Sequence, residues 1–153
     1  MATIDLPNNI LEALSTVLQQ LQQSLPEVKQ APDFSAIAFK WENGELKPIH
    51  QLKRIELNDL KGIERQKEKV LQNTEQFLNG LPANDALLTG SRGTGKSSIV
   101  RALLTEYAEQ GLRLIEIERD DLSELPEIQK LIAERPEKFI VYCDDLAFNA
   151  EDE

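Results

Sequence analysis

ALLTGSRGTGKSSIV, residues 86–100, opens on a short apolar run, passes through glycines at 90, 93 and 95, and continues into a helical pattern. Glycine reaches positive φ without steric cost, so Gly90, Gly93 and Gly95 allow a tight wrap with the N–H groups turned inward, which makes an anion cradle. A helix opening near Gly95 adds unpaired N–H groups and the positive end of its dipole. Two glycines, a lysine and a hydroxyl at this spacing, between a strand and a helix, define Gly90-Ser91-Arg92-Gly93-Thr94-Gly95-Lys96-Ser97 as a P-loop. A glycine-rich turn of purely structural use is the alternative.

Each side chain of the loop has an expected role. Lys96 bridges the β- and γ-phosphates of a nucleoside triphosphate, and the Ser97 hydroxyl ligates Mg²⁺. Ser91, Thr94 and Ser98 complete the cradle, Thr94 and Ser98 mainly through backbone N–H groups and helix-start hydrogen bonds. Arg92 lies at the crown, either exposed or in contact with nucleotide or a neighbouring subunit. The second half of such a site is an acid at the end of a buried strand, supplied by Phe139-Ile140-Val141-Tyr142-Cys143-Asp144-Asp145. Strand ends on one edge of a parallel sheet gather at the ligand crevice, which makes this a Walker B arrangement with Asp144 holding the metal near Ser97. Asp145 stands where many ATPases place the glutamate that orients the attacking water, and is one methylene shorter. A helix cap or turn is the plain alternative for two acids after an apolar run. Cys143 reads as a small core residue.

Outward from the loop, strand and helix patterns alternate. Residues 96–110 form a helix closed by Gly111, 113–118 a strand, 126–135 a helix begun by Pro126 and stopped by Pro136, and 139–143 a strand. With 86–89 as a further strand, this order specifies an α/β layered domain with a parallel sheet. Upstream, a helix over 64–78 buries Ile63, Val70, Leu71, Thr74, Phe77 and Leu78 and ends at Gly80. Earlier still, Ser35, Ile37, Phe39 and Trp41 alternate up to Asn43-Gly44, followed by 46–49, the pattern of a β-hairpin. Its aromatic residues are expected to pack against an N-terminal amphipathic helix over 7–25, striped by Ile10, Leu11, Leu14, Val17, Leu18 and Leu21. That stripe needs a partner surface, within the chain or on a second subunit. The organisation expected is an extension over residues 1–56 and a P-loop domain portion over 57–153.

Composition narrows the functional classes. The 153 residues are 41% hydrophobic and 29% charged, as in soluble globular proteins, with a net charge of −10. That acidity argues against a broad nucleic-acid surface, which needs clustered cations. The longest apolar runs fall far short of the roughly 20 residues that span a bilayer, and no secretion signal precedes them. A single cysteine forms no internal disulfide, so a cytoplasmic setting is expected. His50 has no ligand-spaced partners and reads as structural or exposed.

On these motifs the stretch from residue 57 to residue 148 resembles AAA+ ATPases of a bacterial group with no assigned function. The blocks that carry the likeness are LNDLKGIERQKEKVLQNTEQFLNGLPAND, GSRGTGKSSIVRALLTEY, GLRLIEIERDDLSELPEI and RPEKFIVYCDDLAF. The resemblance implies a three-layer AAA+ type P-loop fold, binding of ATP with Mg²⁺, assembly into homo-oligomers, and hydrolysis that remodels a macromolecule. It assigns Gly62 and Ile63 to the adenine pocket, and the doubled Asp144-Asp145 before Leu146-Ala147-Phe148 is similar to this group's own Walker B. In AAA+ proteins a sensor strand, an arginine finger and a helical lid follow Walker B, the sensor strand lying between the P-loop and Walker B strands. The expectation is therefore a fragment with an incomplete sheet that binds nucleotide with little or no turnover. Two other readings stand beside it: a nucleotide-dependent interaction module without hydrolysis, and a small P-loop kinase or GTPase. The guanine-reading Asn-Lys-x-Asp signature does not follow the loop, and Asp59-Leu60-Lys61-Gly62 comes before it.

Overall fold

A computed structural model describes residues 7–24, 32–91 and 93–144. The chain divides into two compact units after Ala31. In the first, α1 (Asn8–Ser24) forms where apolar residues recur at three-and-four spacing. Ile10, Leu11, Leu14, Val17, Leu18 and Leu21 are all exposed. Ser15 and Thr16 donate their hydroxyls to Leu11 O and Glu12 O, four residues back, so these polar groups are satisfied within the helix. The expected last residue, Leu25, lies outside the described residues.

The second unit is built on a four-stranded sheet. Strands β1 (Ala38–Glu42) and β2 (Glu45–Pro48) form the hairpin. Asn43 and Gly44 take φ of 54° and 73°, the left-handed pair that a two-residue turn requires. Helices α2 (Glu64–Leu78) and α3 (Lys96–Tyr107) follow, then β3 (Leu112–Ile117), α4 (Leu125–Ile132) and β4 (Lys138–Cys143). The order across the sheet is β2-β1-β3-β4. The hairpin pairs antiparallel within itself, whereas β1 with β3 and β3 with β4 run parallel, Ile115 facing Val141 and Ile117 facing Cys143.

Two-residue alternation along the strands divides the core between the two faces. On one, Leu112 and Leu114 join Ile99, Val100, Leu103, Leu104 and Tyr107 of α3, with Val70, Leu71 and Phe77 of α2 against them. On the other, Phe39, Trp41, Ile115 and Ile117 surround Ile128 of α4. A helix layer on each side of a mostly parallel sheet is the three-layer α/β architecture expected of a P-loop protein. Phe39 and Trp41 find their partners here, in β3 and α4, which supply the surface expected of the N-terminal helix. Phe34, Phe39 and Phe139 meet with ring centroids 5.7, 6.0 and 6.4 Å apart. The Trp41 indole donates to Glu124 Oε2 at 2.6 Å, so its one polar atom is satisfied as it is buried.

One expected element is absent. Residues 86–89 lead into the P-loop as irregular chain, with Leu87 66% exposed. A strand exists only where a neighbour completes its ladder, and β3 occupies one edge of β4 while no described strand pairs with 86–89. The helix expected over 96–110 ends its α portion at Tyr107, and one 3-10 turn (Ala108–Gln110) carries it to Gly111 at φ 93°. The helix expected over 126–135 starts one residue earlier, with Pro126 in its first turn, and stops at Ile132.

Candidate functional site

The P-loop leaves the irregular 86–89 segment and enters α3 directly. Gly90, Gly93 and Gly95 take φ of 149°, 84° and 89°, the conformations their lack of a side chain permits. A Cβ on Gly90 would lie 2.9 Å from Thr94 Oγ1. That hydroxyl donates to Ser91 O at 2.8 Å and closes the loop across its base. Gly95 precedes the first helical residue, and its carbonyl accepts from the Ile99 N–H at 2.9 Å. Ser98 is half-buried in the first turn of α3.

Lys96 folds back over the loop, where its ammonium donates to Gly90 O at 2.8 Å and Ser91 O at 3.1 Å. Neutral carbonyls hold an ammonium less strongly than phosphate oxygens would, so this cation is kept at the mouth in a form that an anion can take over. Ser97 stands one residue further on, and its hydroxyl donates to Asp144 Oδ2 at 2.8 Å. The two are 47 residues apart and meet because β4 delivers Asp144 to the end of the sheet where α3 begins. Hard oxygen donors from a hydroxyl and a carboxylate suit Mg²⁺, which takes few protein ligands and shares its shell with phosphates and water. Among the described residues no cluster of three or more His, Cys, Asp or Glu side chains offers an all-protein metal cage.

Tyr142, a residue that motif reading passes over, completes this arrangement. It lies two positions before Asp144, and alternation puts both on the face toward α3. Its hydroxyl donates to Ser97 Oγ at 3.2 Å. Burial above all, with its hydrogen bond to Asp144 and the charges of Asp144 and Glu116, pushes the Tyr142 hydroxyl up to about 12 against the opposing pull of its Ser97 bond, so it is protonated at neutral pH. Cys143 points to the opposite face, and burial pushes its thiol up, helped by the Asp144 charge and opposed by Arg119. A thiol held protonated there is a core residue, as expected.

Of the residues assigned by resemblance, Ile63 reaches the loop: its Cδ1 would be 3.8 Å from a Cβ on Gly95. Gly62 precedes it at φ 76° and donates its N–H to Glu64 Oε1 at 3.1 Å, which fixes the start of α2. Arg92 and Asp145 lie outside the described residues. Asn73 of α2 is a second side chain without a motif. It donates Nδ2 to Asn84 O at 2.7 Å and accepts the Asn84 N–H at 2.9 Å, pinning the chain that approaches the loop. A groove of about 1110 Å³ has Leu87, Gly90, Lys96, Val141 and Asp144 among its lining residues. Among the described residues no helix is long and apolar enough to cross a membrane.

A 52-residue segment is 36% identical to the replication factor C large subunit of Methanococcus maripaludis (strain C7 / ATCC BAA-1331). That segment is 34% of this chain and spans 11% of the relative's length. No solved structure matches the chain. A family model described as "Protein of unknown function (DUF815)" matches residues 34–153, and the chain belongs to that family.

Proposed function

We propose that this chain binds ATP with Mg²⁺ in the P-loop and forms part of an AAA+ ATPase that remodels a macromolecule, in a homo-oligomeric and cytoplasmic setting. The observation that carries the reading is the 2.8 Å contact between Ser97 Oγ and Asp144 Oδ2, which joins the hydroxyl of one motif to the acid of the other. Gly90, Ser91, Arg92, Gly93, Thr94, Gly95 and Ser98 surround the phosphates, Lys96 neutralises them, and Gly62 and Ile63 flank the adenine. Residues 57–153 carry this site, and 1–56 are an extension whose hairpin widens the sheet. Bound between Ser97 and Asp144, Mg²⁺ would supply charge neutralisation for the β- and γ-phosphates. Asp145 orients the attacking water. The likeness to a replication factor C subunit supports the AAA+ assignment.

Titration with a fluorescent ATP analogue tests the proposal. Binding that Lys96→Ala abolishes and that ATP competes away better than GTP is expected. Decisive competition by GTP, or undiminished binding by Lys96→Ala, would overturn it. A second reading, a nucleotide-dependent interaction module without hydrolysis, is favoured by the exposed stripe of α1, with Leu18 59% exposed. Removal of residues 1–31 that abolishes self-association and leaves nucleotide affinity intact would support that reading.

A further inference from the structure

We propose that the Tyr142 hydroxyl is a positioning group of the site, holding Ser97 Oγ and the Asp144 carboxylate in the one arrangement that leaves an oxygen lone pair of Ser97 free for a divalent cation. The proposal rests on the reading of the P-loop as a Mg²⁺-nucleotide site.

Proton and lone-pair counting carries it. A serine hydroxyl has one proton and two lone pairs. Ser97 gives its proton to Asp144 Oδ2 at 2.8 Å and accepts the Tyr142 proton at 3.2 Å. One lone pair is left, in a direction set by the other two bonds. Without the phenol the hydroxyl keeps its bond to Asp144 but loses the donor that fixes the direction of its lone pairs.

Packing alone would be met by a ring without an oxygen. Tyr142 packs against the cluster that holds Val100 and Leu103, with Ile140 on the same strand face and the carboxylates of Glu116 and Asp144 nearby. Phenylalanine would fill the same volume, and a hydroxyl beside a buried cluster is costly unless bonded. The chain Tyr142 to Ser97 to Asp144 accounts for that oxygen. Fixing the partners of metal-binding side chains typically changes metal affinity by about 10- to 100-fold.

Tyr142→Phe in the full chain tests this, with nucleotide affinity measured by fluorescent ATP analogue in EDTA and again in Mg²⁺. The expected result is an EDTA affinity within about twofold of wild type and a Mg²⁺-dependent gain reduced about tenfold. Adding Tyr142→Phe to Ser97→Ala should then cost less than Tyr142→Phe costs alone, because the hydroxyl acts in large part through Ser97. An unchanged Mg²⁺ gain, equal weakening in both conditions, or additive losses in the double variant would overturn the proposal. Equal weakening would mark a purely structural residue. Wild type that binds no nucleotide in either condition would instead sink the P-loop reading, and this proposal with it.

Discussion

Gly90→Ala is the substitution whose effect can be worked most fully from the geometry. Gly90 sits at φ 149°, a conformation that L side chains rarely adopt, and an added Cβ would lie 2.9 Å from Thr94 Oγ1. Backbone strain of this kind costs about 1–3 kcal/mol. The steric conflict cannot be relieved cheaply, because Thr94 is β-branched and its hydroxyl donates to Ser91 O at 2.8 Å. Displacing it loses that bond, worth about 1 kcal/mol. Together these come to about 2–4 kcal/mol, which at 1.4 kcal/mol per tenfold is roughly a 30- to 1,000-fold loss of nucleotide affinity. The loop is exposed and outside both core clusters, so the denaturation midpoint should change little. Titration with a fluorescent ATP analogue reads the first quantity and urea unfolding the second. Thr94→Ala combined with Gly90→Ala should recover part of the loss by removing the conflicting oxygen, the backbone strain remaining. Gly90→Ala binding within twofold of wild type would refute the reasoning.

Three further outcomes concern the core. Phe39→Ala, at a fully buried position packed on Phe34 and Phe139, should cost about 3–5 kcal/mol in urea unfolding, with nucleotide affinity unchanged in the molecules that remain folded, since Phe39 faces α4 and the P-loop lies on the other side. Trp41→Phe removes the indole donor 2.6 Å from Glu124 Oε2 and should lower unfolding free energy by about 1.5–3 kcal/mol, while Glu124→Gln, which keeps an acceptor, should cost clearly less. Tyr107 is pushed up to about 12, first by burial and then by its bond to Glu75; the fold therefore favours its neutral form, a contribution fully present below pH 10 and lost as pH rises through 12. In Tyr107→Phe the alkaline fall in unfolding midpoint between pH 10 and 12 should be shallower than in wild type, and an identical slope would contradict the assignment.

Reading the sequence alone reached the layered α/β class, the hairpin turn at Asn43-Gly44 and most helix limits, because these depend on neighbours a few residues apart. The candidate site was legible for the same reason in its first half. Gly90, Gly93, Gly95, Lys96 and Ser97 share one short loop, and their chemistry is set by spacing. Asp144 was found because an acid after an apolar strand is itself a local pattern. Tyr142 and Asn73 were not, since neither belongs to a motif and each matters only through a partner distant in sequence. The period of two along β4 would have put Tyr142 on the face of Asp144, once that face was known to meet Ser97.

What the sequence by itself determined is the glycine-rich loop: glycines that can take positive φ, a cation behind them and a helix start, all within residues 90–97. Tertiary structure alone decided that the hairpin joins β3 in the order β2-β1-β3-β4, that Phe39 and Trp41 face α4, and that residues 86–89 form no strand. Periodicity tells which side chains call for burial, but a β-ladder exists only between two chains at hydrogen-bonding distance. That condition lies in the partner, and the partner is not encoded in the segment's own residues. The closing of the Tyr142, Ser97 and Asp144 chain has the same origin: its three oxygens come from a strand, a helix and a strand end that only packing brings together.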